Sequence, residues 1–266
     1  MYSIKQLSSN RLFIYHLLRR SLRHHCPISA VYDWDIEDVY SFIQAQKGEP
    51  NSIGMTAVVI KATADTLKEC PRLNSRIFHT LFGKPFLVNY EHISCATVVA
   101  RMNEKGEETL MPLILKNTDQ LSIREIQHRL EHYKTTELGS LEKEAGRDRM
   151  SKMPGWLVKL LHFKFRSDPK FTEDKIGSTY AVSSVIQHGT GVIAGHAPSN
   201  QTSFFPSVID DKVMVVDRQP VVRTCLTFGI SVDHYVVDGR DVIQAAAALQ
   251  KRVTSLEYLK SKLDQA

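Results

Sequence analysis

The chain of 266 residues is 42% hydrophobic and carries 34 basic and 29 acidic residues, a formal net charge of +5. It is long and apolar enough to bury a large core, and the lack of any Pro/Gly/Ser-rich linker, repeat or low-complexity tract favours a single domain over residues 1–266. The interspersed charges argue against a nucleic-acid-binding face, the modest positive field suits an anionic ligand, and neither a membrane span nor a secretory leader is read.

The predicted elements alternate between helices and strands. Residues 11–23 form a helix with Leu12, Tyr15, Leu18 and Leu22 at helical spacing. Residues 31–36 are a strand, and 37–46 a short helix stopped before Gly48 and Pro50. Residues 56–69 are a largely apolar helix ended before Pro71. Residues 93–101 and 109–115 are strands joined by a polar turn over 103–108. Ser122 and Glu125 form a capping box for a helix to about residue 134. Residues 147–170 combine Trp156, Leu157, Leu160, Leu161 and Phe163 with seven basic residues. That amphipathic pattern fits packing on the protein or a neighbouring subunit best, ahead of an active-site lid or a membrane-surface helix. Strands follow at 179–186, 213–216 and 221–231, then a helical pattern from about 240 to 263. The fold class is α/β with a substantial sheet.

Between the last strand and the last helix lies the run Ser231-Val232-Asp233-His234-Tyr235-Val236-Val237-Asp238-Gly239. It contains H-x-x-x-D-G. A histidine between a buried strand and a helix is placed to act as a base near neutral pH. Gly239 would permit a sharp turn with φ > 0. By spacing alone a second reading stands: a satisfied histidine at a strand end, with Asp238 or Asp241 capping the next helix.

The longer pattern S-x-D-H-x-x-x-D-G resembles the active-site signature of the dihydrolipoamide acyltransferases, the acyltransferase components of the 2-oxo acid dehydrogenase complexes. H-x-x-x-D-G is shared with the chloramphenicol acetyltransferase-like superfamily. Other segments match in order: Arg11-Leu12-Phe13-Ile14 with Leu18, Ser21 and Pro27; Ile60-Lys61-Ala62 followed by Pro71-Arg72-Leu73-Asn74; and Gly177-Ser178-Thr179-Tyr180-Ala181-Val182-Ser183-Ser184. The resemblance covers roughly residues 10–255. It implies a chloramphenicol acetyltransferase-like two-layer sandwich, a large mixed β-sheet packed with helices. It also implies a homotrimer, with the histidine of one chain and the serine of its neighbour at an active site between subunits. The chain departs from the pattern at Tyr235, where arginine is usual, and at Ile28, where histidine is usual. Residues 146–175 look like an insertion. Neither a lipoyl domain nor a subunit-binding domain is expected, so the reading is of a stand-alone catalytic domain without a covalently bound lipoyl group.

The chemistry implied is acyl transfer between coenzyme A and a thiol, hydroxyl or amine, by direct attack of the acceptor on acyl-CoA. His234 is the general base, and Ser183 the donor to the oxyanion of the tetrahedral intermediate. From local pattern alone Ser184 is an equal candidate. Asp238 is expected to hold the loop through an arginine, among Arg11, Arg19 and Arg20. Asp233 is either a site residue or a solvated strand-end acid. A separate lipoyl-bearing protein is one candidate acceptor. The alternative readings are a non-catalytic core protein of a dehydrogenase-type assembly and a silent acyl-CoA-binding relative.

The remaining clusters read plainly. His24-His25-Cys26 is not a metal site without a matching pair elsewhere, and no metal is expected. Gly189-Thr190-Gly191 and Gly195 read as a loop. Cys26, Cys70, Cys95 and Cys225 are scattered through apolar patterns and read as buried thiols of a reducing, cytoplasmic compartment.

Overall fold

A computed structural model describes residues 15, 19, 25–102, 108–135, 155–184, 186, 195 and 200–265. The expected first helix therefore lies mostly outside the described residues. Tyr15 and Arg19 are helical, with Arg19 donating to the Tyr15 hydroxyl one turn back at 3.2 Å.

The main sheet has six strands: β1 (Pro27–Asp35), β4 (Cys95–Met102), β5 (Glu108–Leu115), β6 (Tyr180–Val182), β7 (Thr202–Val216) and β8 (Gln219–Asp233). Their order is β1-β8-β7-β6-β4-β5. β6 runs parallel to both β4 and β7, while the other pairs are antiparallel, so the sheet is mixed. The helices are α1 (Glu37–Ala45), α2 (Met55–Glu69), α3 (Ile123–Thr135), α4 (Gly155–Ser167), α5 (Pro169–Lys175), α6 (Gly239–Val253) and α7 (Leu256–Ser261). This is the mixed α/β architecture expected from the sequence.

Alternation along β8 positions the core. Leu226, Phe228, Ile230 and Val232 share one face and are fully buried with Phe204, Val182 and Trp34. Trp34 stacks on Phe228 at 4.5 Å. The opposite face carries Cys225, Thr227, Ser231 and Asp233, also buried. α2 packs between α3 and α6 over the sheet, and nearly its whole length is buried. Lys61 in its middle has no solvent exposure; it pairs with Asp65 at 3.1 Å and donates to the Asp119 carbonyl at 2.8 Å. The Ser122–Glu125 capping box of α3 forms with both reciprocal hydrogen bonds, at 2.7 and 3.2 Å.

Several boundaries differ from the sequence reading. β7 begins at Thr202, not at 213; its first half contains Pro206, which does not read as a strand interior. A proline is tolerated there because the register shifts between Pro206 and Val208, a bulge in the ladder. β7 and β8 are joined by Asp217 and Arg218, both with φ > 0, at 50° and 65°. That pair of angles is what a two-residue hairpin turn of the I′ class needs. β6 is shorter than 179–186. β1 starts at Pro27, ahead of the expected 31. A separate hairpin of β2 (Ser75–His79) and β3 (Pro85–Asn89) was not read from the sequence at all. The terminal helical pattern breaks at Thr254, and Ser255 caps α7 by accepting from the Tyr258 N–H at 3.1 Å. Of the four cysteines, Cys95 and Cys225 are buried as expected but Cys26 is exposed, and all four are free thiols. Within 147–170, α4 packs on β2 and α5, which is packing on the protein itself; residues 147–154 lie outside the described residues.

Candidate active site

His234 is the first residue after β8, and the chain there is tied down on both sides. Its own N–H donates to the Cys26 carbonyl at 2.8 Å, just ahead of β1. Its imidazole Nδ1 lies 2.9 Å from the Val237 carbonyl oxygen. A carbonyl only accepts, so Nδ1 carries the proton. Nε2 is then the lone-pair nitrogen, and among the described residues it has no hydrogen-bond partner. The side chain is 46% exposed. A lone pair at Nε2 is the feature a general base would use.

The carboxylate of Asp238 does not complete a triad. Its Oδ1 stands 3.9 Å from Nδ1 of His234, beyond hydrogen-bond length, and its side chain is 76% exposed. Among the described residues no arginine reaches it; Arg19 bonds Tyr15, and Arg11 and Arg20 are outside the described residues. The arginine at this turn is Arg72, paired with Asp241 at 3.0 Å. Asp238 is the N-cap residue of α6, and its N–H donates to Asp241 at 3.3 Å. Gly239 opens the helix and is not among the residues with positive φ, contrary to the turn expected there.

Asp233 is not a solvated strand-end acid. It is fully buried, and both oxygens are occupied. Oδ2 accepts from His25 Nδ1 at 2.7 Å and from Gln201 Nε2 at 3.1 Å. Oδ1 accepts from the N–H groups of Cys26 and Tyr235, each at 3.1 Å. Burial pushes this carboxyl upward, but the hydrogen bonds from His25 and from the Cys26 and Tyr235 amides outweigh it and hold the group below its usual value. Sequence reasoning did not bring His25 and Gln201 to the site. The adjacent His24-His25 pair was a visible signal; Gln201 gave none.

Ser183 and His234 stand far apart within one chain. The Ser183 N–H donates to the Phe204 carbonyl, and the next residue of β7, Phe205, pairs with Gly229 of β8. His234 lies five residues beyond Gly229 along β8, which is about 17 Å at the rise of a strand, and β8 is two strands across from β6. The Ser183 hydroxyl is half-buried and has no partner among the described residues. The Ser184 hydroxyl is already bonded to Thr56 Oγ1 at 2.8 Å. Thr56 also lines a cleft of about 510 Å³, bounded further by Tyr40, Lys47, Gly54, Ile186 and the bulge at Ser207–Ile209. Its mixture of apolar walls, hydroxyls and one lysine suits an extended ligand with an anionic end. Among the described residues no group of three or more His, Cys, Asp or Glu side chains is placed to hold a metal ion.

The family model for the catalytic domain of 2-oxoacid dehydrogenase acyltransferases matches residues 2–144, more than half of the chain. Ser183, His234 and Asp238 lie beyond that match. No curated protein matches in a sequence search. Among solved structures, a probable dihydrolipoamide acetyltransferase from Listeria monocytogenes superposes with a TM-score of 0.69 at 20% identity, covering 96% of this chain and 97% of that one. The cubic core of a pyruvate dehydrogenase multienzyme complex gives 0.70 at 17%, covering 97% and 94%. The dihydrolipoamide acetyltransferase of Azotobacter vinelandii, studied for the role of a serine, a histidine and an asparagine in its catalytic mechanism, gives 0.70 at 16% with the same coverage. At these identities the likeness is one of fold.

Proposed function

The chain belongs to the family of 2-oxoacid dehydrogenase acyltransferase catalytic domains, and from that premise we propose that it moves an acyl group between coenzyme A and a thiol, hydroxyl or amine acceptor, with His234 as general base. The observation that carries the reading is the 2.9 Å contact between His234 Nδ1 and the Val237 carbonyl. It fixes the tautomer whose Nε2 takes the proton from the acceptor as the acceptor attacks the thioester. General-base catalysis of this kind contributes about 10²–10⁴ in rate. Ser183, whose hydroxyl has no partner among the described residues, donates to the developing oxyanion, a contribution of about 3–4 kcal/mol in the transition state.

The separation of Ser183 from His234 supports a site shared between subunits of a homotrimer, since one chain alone holds them too far apart for a single reacting carbon. The cleft lined by Lys47 and Thr56 is suited to the pantetheine arm and phosphates of acyl-CoA. The reaction as written needs no metal and no lipoyl group on this chain; the acceptor is a small molecule or a lipoyl group carried by a separate protein. We read residues 1–266 as one catalytic domain acting in the cytoplasm.

Purified protein presented with a panel of acyl-CoAs, free dihydrolipoamide and small thiol, hydroxyl and amine acceptors tests this. Acceptor-dependent release of free CoA is the expected result. Acyl-CoA binding with no release for any pair would overturn it in favour of a silent relative, and neither binding nor release would leave a core or scaffold role.

A further inference from the structure

The histidine proposed as base does not hold its own position. The carbonyl that fixes its tautomer belongs to Val237, in the turn 234–238, and that turn hangs from the residue before it. The N–H groups of Val236 and Val237 both donate to the Asp233 carbonyl, at 2.9 and 3.2 Å. The Asp233 carboxylate in turn grips the Tyr235 N–H inside the turn and the Cys26 N–H on the neighbouring β1 end. Its other oxygen is held by two side chains from outside the turn, His25 and Gln201. Gln201 is itself anchored, accepting from the Ile77 N–H in the separate β2–β3 hairpin at 2.6 Å. His25 is 12% exposed and its contact with Asp233, at 2.7 Å, is the shortest of the four to this carboxylate.

We infer that His25, acting through Asp233, is a positioning residue for His234. The carboxylate is buried and accepts four hydrogen bonds, so it has no slack to reorient within the strand end. With the His25 donor gone, the carboxylate rotates toward its remaining partners and the Tyr235 amide moves with it. The Val237 carbonyl then shifts relative to Nδ1 of His234, and the imidazole loses the acceptor that keeps Nδ1 protonated. His25 touches no reacting atom in this scheme; it sets the geometry of a residue that does. The inference rests on reading His234 as the base.

The experiment uses the full chain with His25→Leu, which removes the donor, and His25→Asn, whose amide N–H stands near the place of Nδ1. The first measurement is nitrogen NMR of the His234 ring, assigned by its loss in His234→Ala. The expected wild-type pattern is a single Nδ1–H tautomer, with mixed tautomers in His25→Leu and recovery in His25→Asn. The second is kinetics: kcat falls about tenfold to hundredfold in His25→Leu, the range found when a hydrogen-bonded partner that orients a metal-bound histidine is removed. KM for acyl-CoA stays within about threefold, and His25→Asn regains most of the rate. Should His25→Leu not fold, Gln201→Met removes the other donor to the same oxygen and gives the same expected pattern. An unchanged His234 tautomer and kcat in His25→Leu would overturn the inference, as would equal losses in the Leu and Asn variants. The NMR result stands apart from catalysis, so a wild-type protein without acyltransferase activity defeats the proposed function while the positioning role is still decided.

Discussion

Asp233→Asn separates the charge of the buried carboxylate from its shape. The side chain accepts four hydrogen bonds, two on each oxygen, and an amide nitrogen accepts none. Whichever way the new amide faces, two donors lose their partner. The backbone N–H groups of Cys26 and Tyr235 cannot turn away, so the amide nitrogen is expected to take the place of Oδ2, where the His25 and Gln201 side chains have some freedom. Two hydrogen bonds to a charged group are then lost, at about 1.5–3 kcal/mol each, partly offset by no longer burying a charge. A net loss of about 3 kcal/mol is expected, a large part of the 5–15 kcal/mol typical of a folded domain. The pH dependence has a definite sign. The folded-state pKa of Asp233 lies below its ordinary 3.8, so its stabilisation is fully present at neutral pH and is lost as pH falls below about 3.8 through the folded value. Urea unfolding of wild type and Asp233→Asn at pH 7, repeated at steps down to the lowest pH at which both remain folded, measures the gap. It should be widest at neutral pH and begin to close at the acid end. A gap under about 1 kcal/mol at pH 7, or one that widens on acidification, would refute the account of Asp233 as an ionised hub.

His234→Ala should lower acyl transfer about 10²–10⁴-fold while calorimetry shows acyl-CoA binding retained. Ser183→Ala should lower kcat with an unchanged melting temperature, because its hydroxyl is needed only when the oxyanion forms. Ser184→Ala, which breaks the bond to Thr56, should instead lose about 1 kcal/mol of stability and keep its rate. Mixing Ser183→Ala and His234→Ala proteins after dissociation and reassembly should restore about a quarter of the wild-type rate, the share of intact sites in randomly reassembled rings; a mixture as inactive as its parents speaks against a shared site. Asp238→Asn should shift the melting temperature by less than about 2 °C, since an exposed carboxylate 3.9 Å from the His234 ring contributes little.

The parts of this molecule that were legible in the chain are those written locally. The Ser122–Glu125 capping box, the stop of α2 ahead of Pro71 and the alternation along β8 each rest on residues a few positions apart, so pattern and structure agree. Pro206 hid the first half of β7 because a proline in a central strand is allowed only by a bulge, and a bulge is a property of two strands together. The β2–β3 hairpin pairs outside the main sheet, and neither the half-buried β2 nor the largely exposed β3 shows a regular alternation. At the site, His234 and Asp233 were visible through spacing and resemblance. The partners that give them their state were not. The Val237 acceptor is main chain and carries no side-chain signature. His25 meets Asp233 across 208 residues of sequence, and Ser184 meets Thr56 across 128. Such pairings are made by the tertiary fold.

The acceptor that orients His234 is a backbone carbonyl, and this changes which mutations can silence the base. A carboxylate partner can be lost through a single codon change; a carbonyl survives every substitution at its own position, even proline. Sequence drift at 235 and 238, both exposed, is therefore tolerated by the base as long as the turn keeps its shape. Vulnerability is displaced to positions that look remote in sequence, 25, 201 and 233, where a change leaves every reacting group in place and still misdirects one of them.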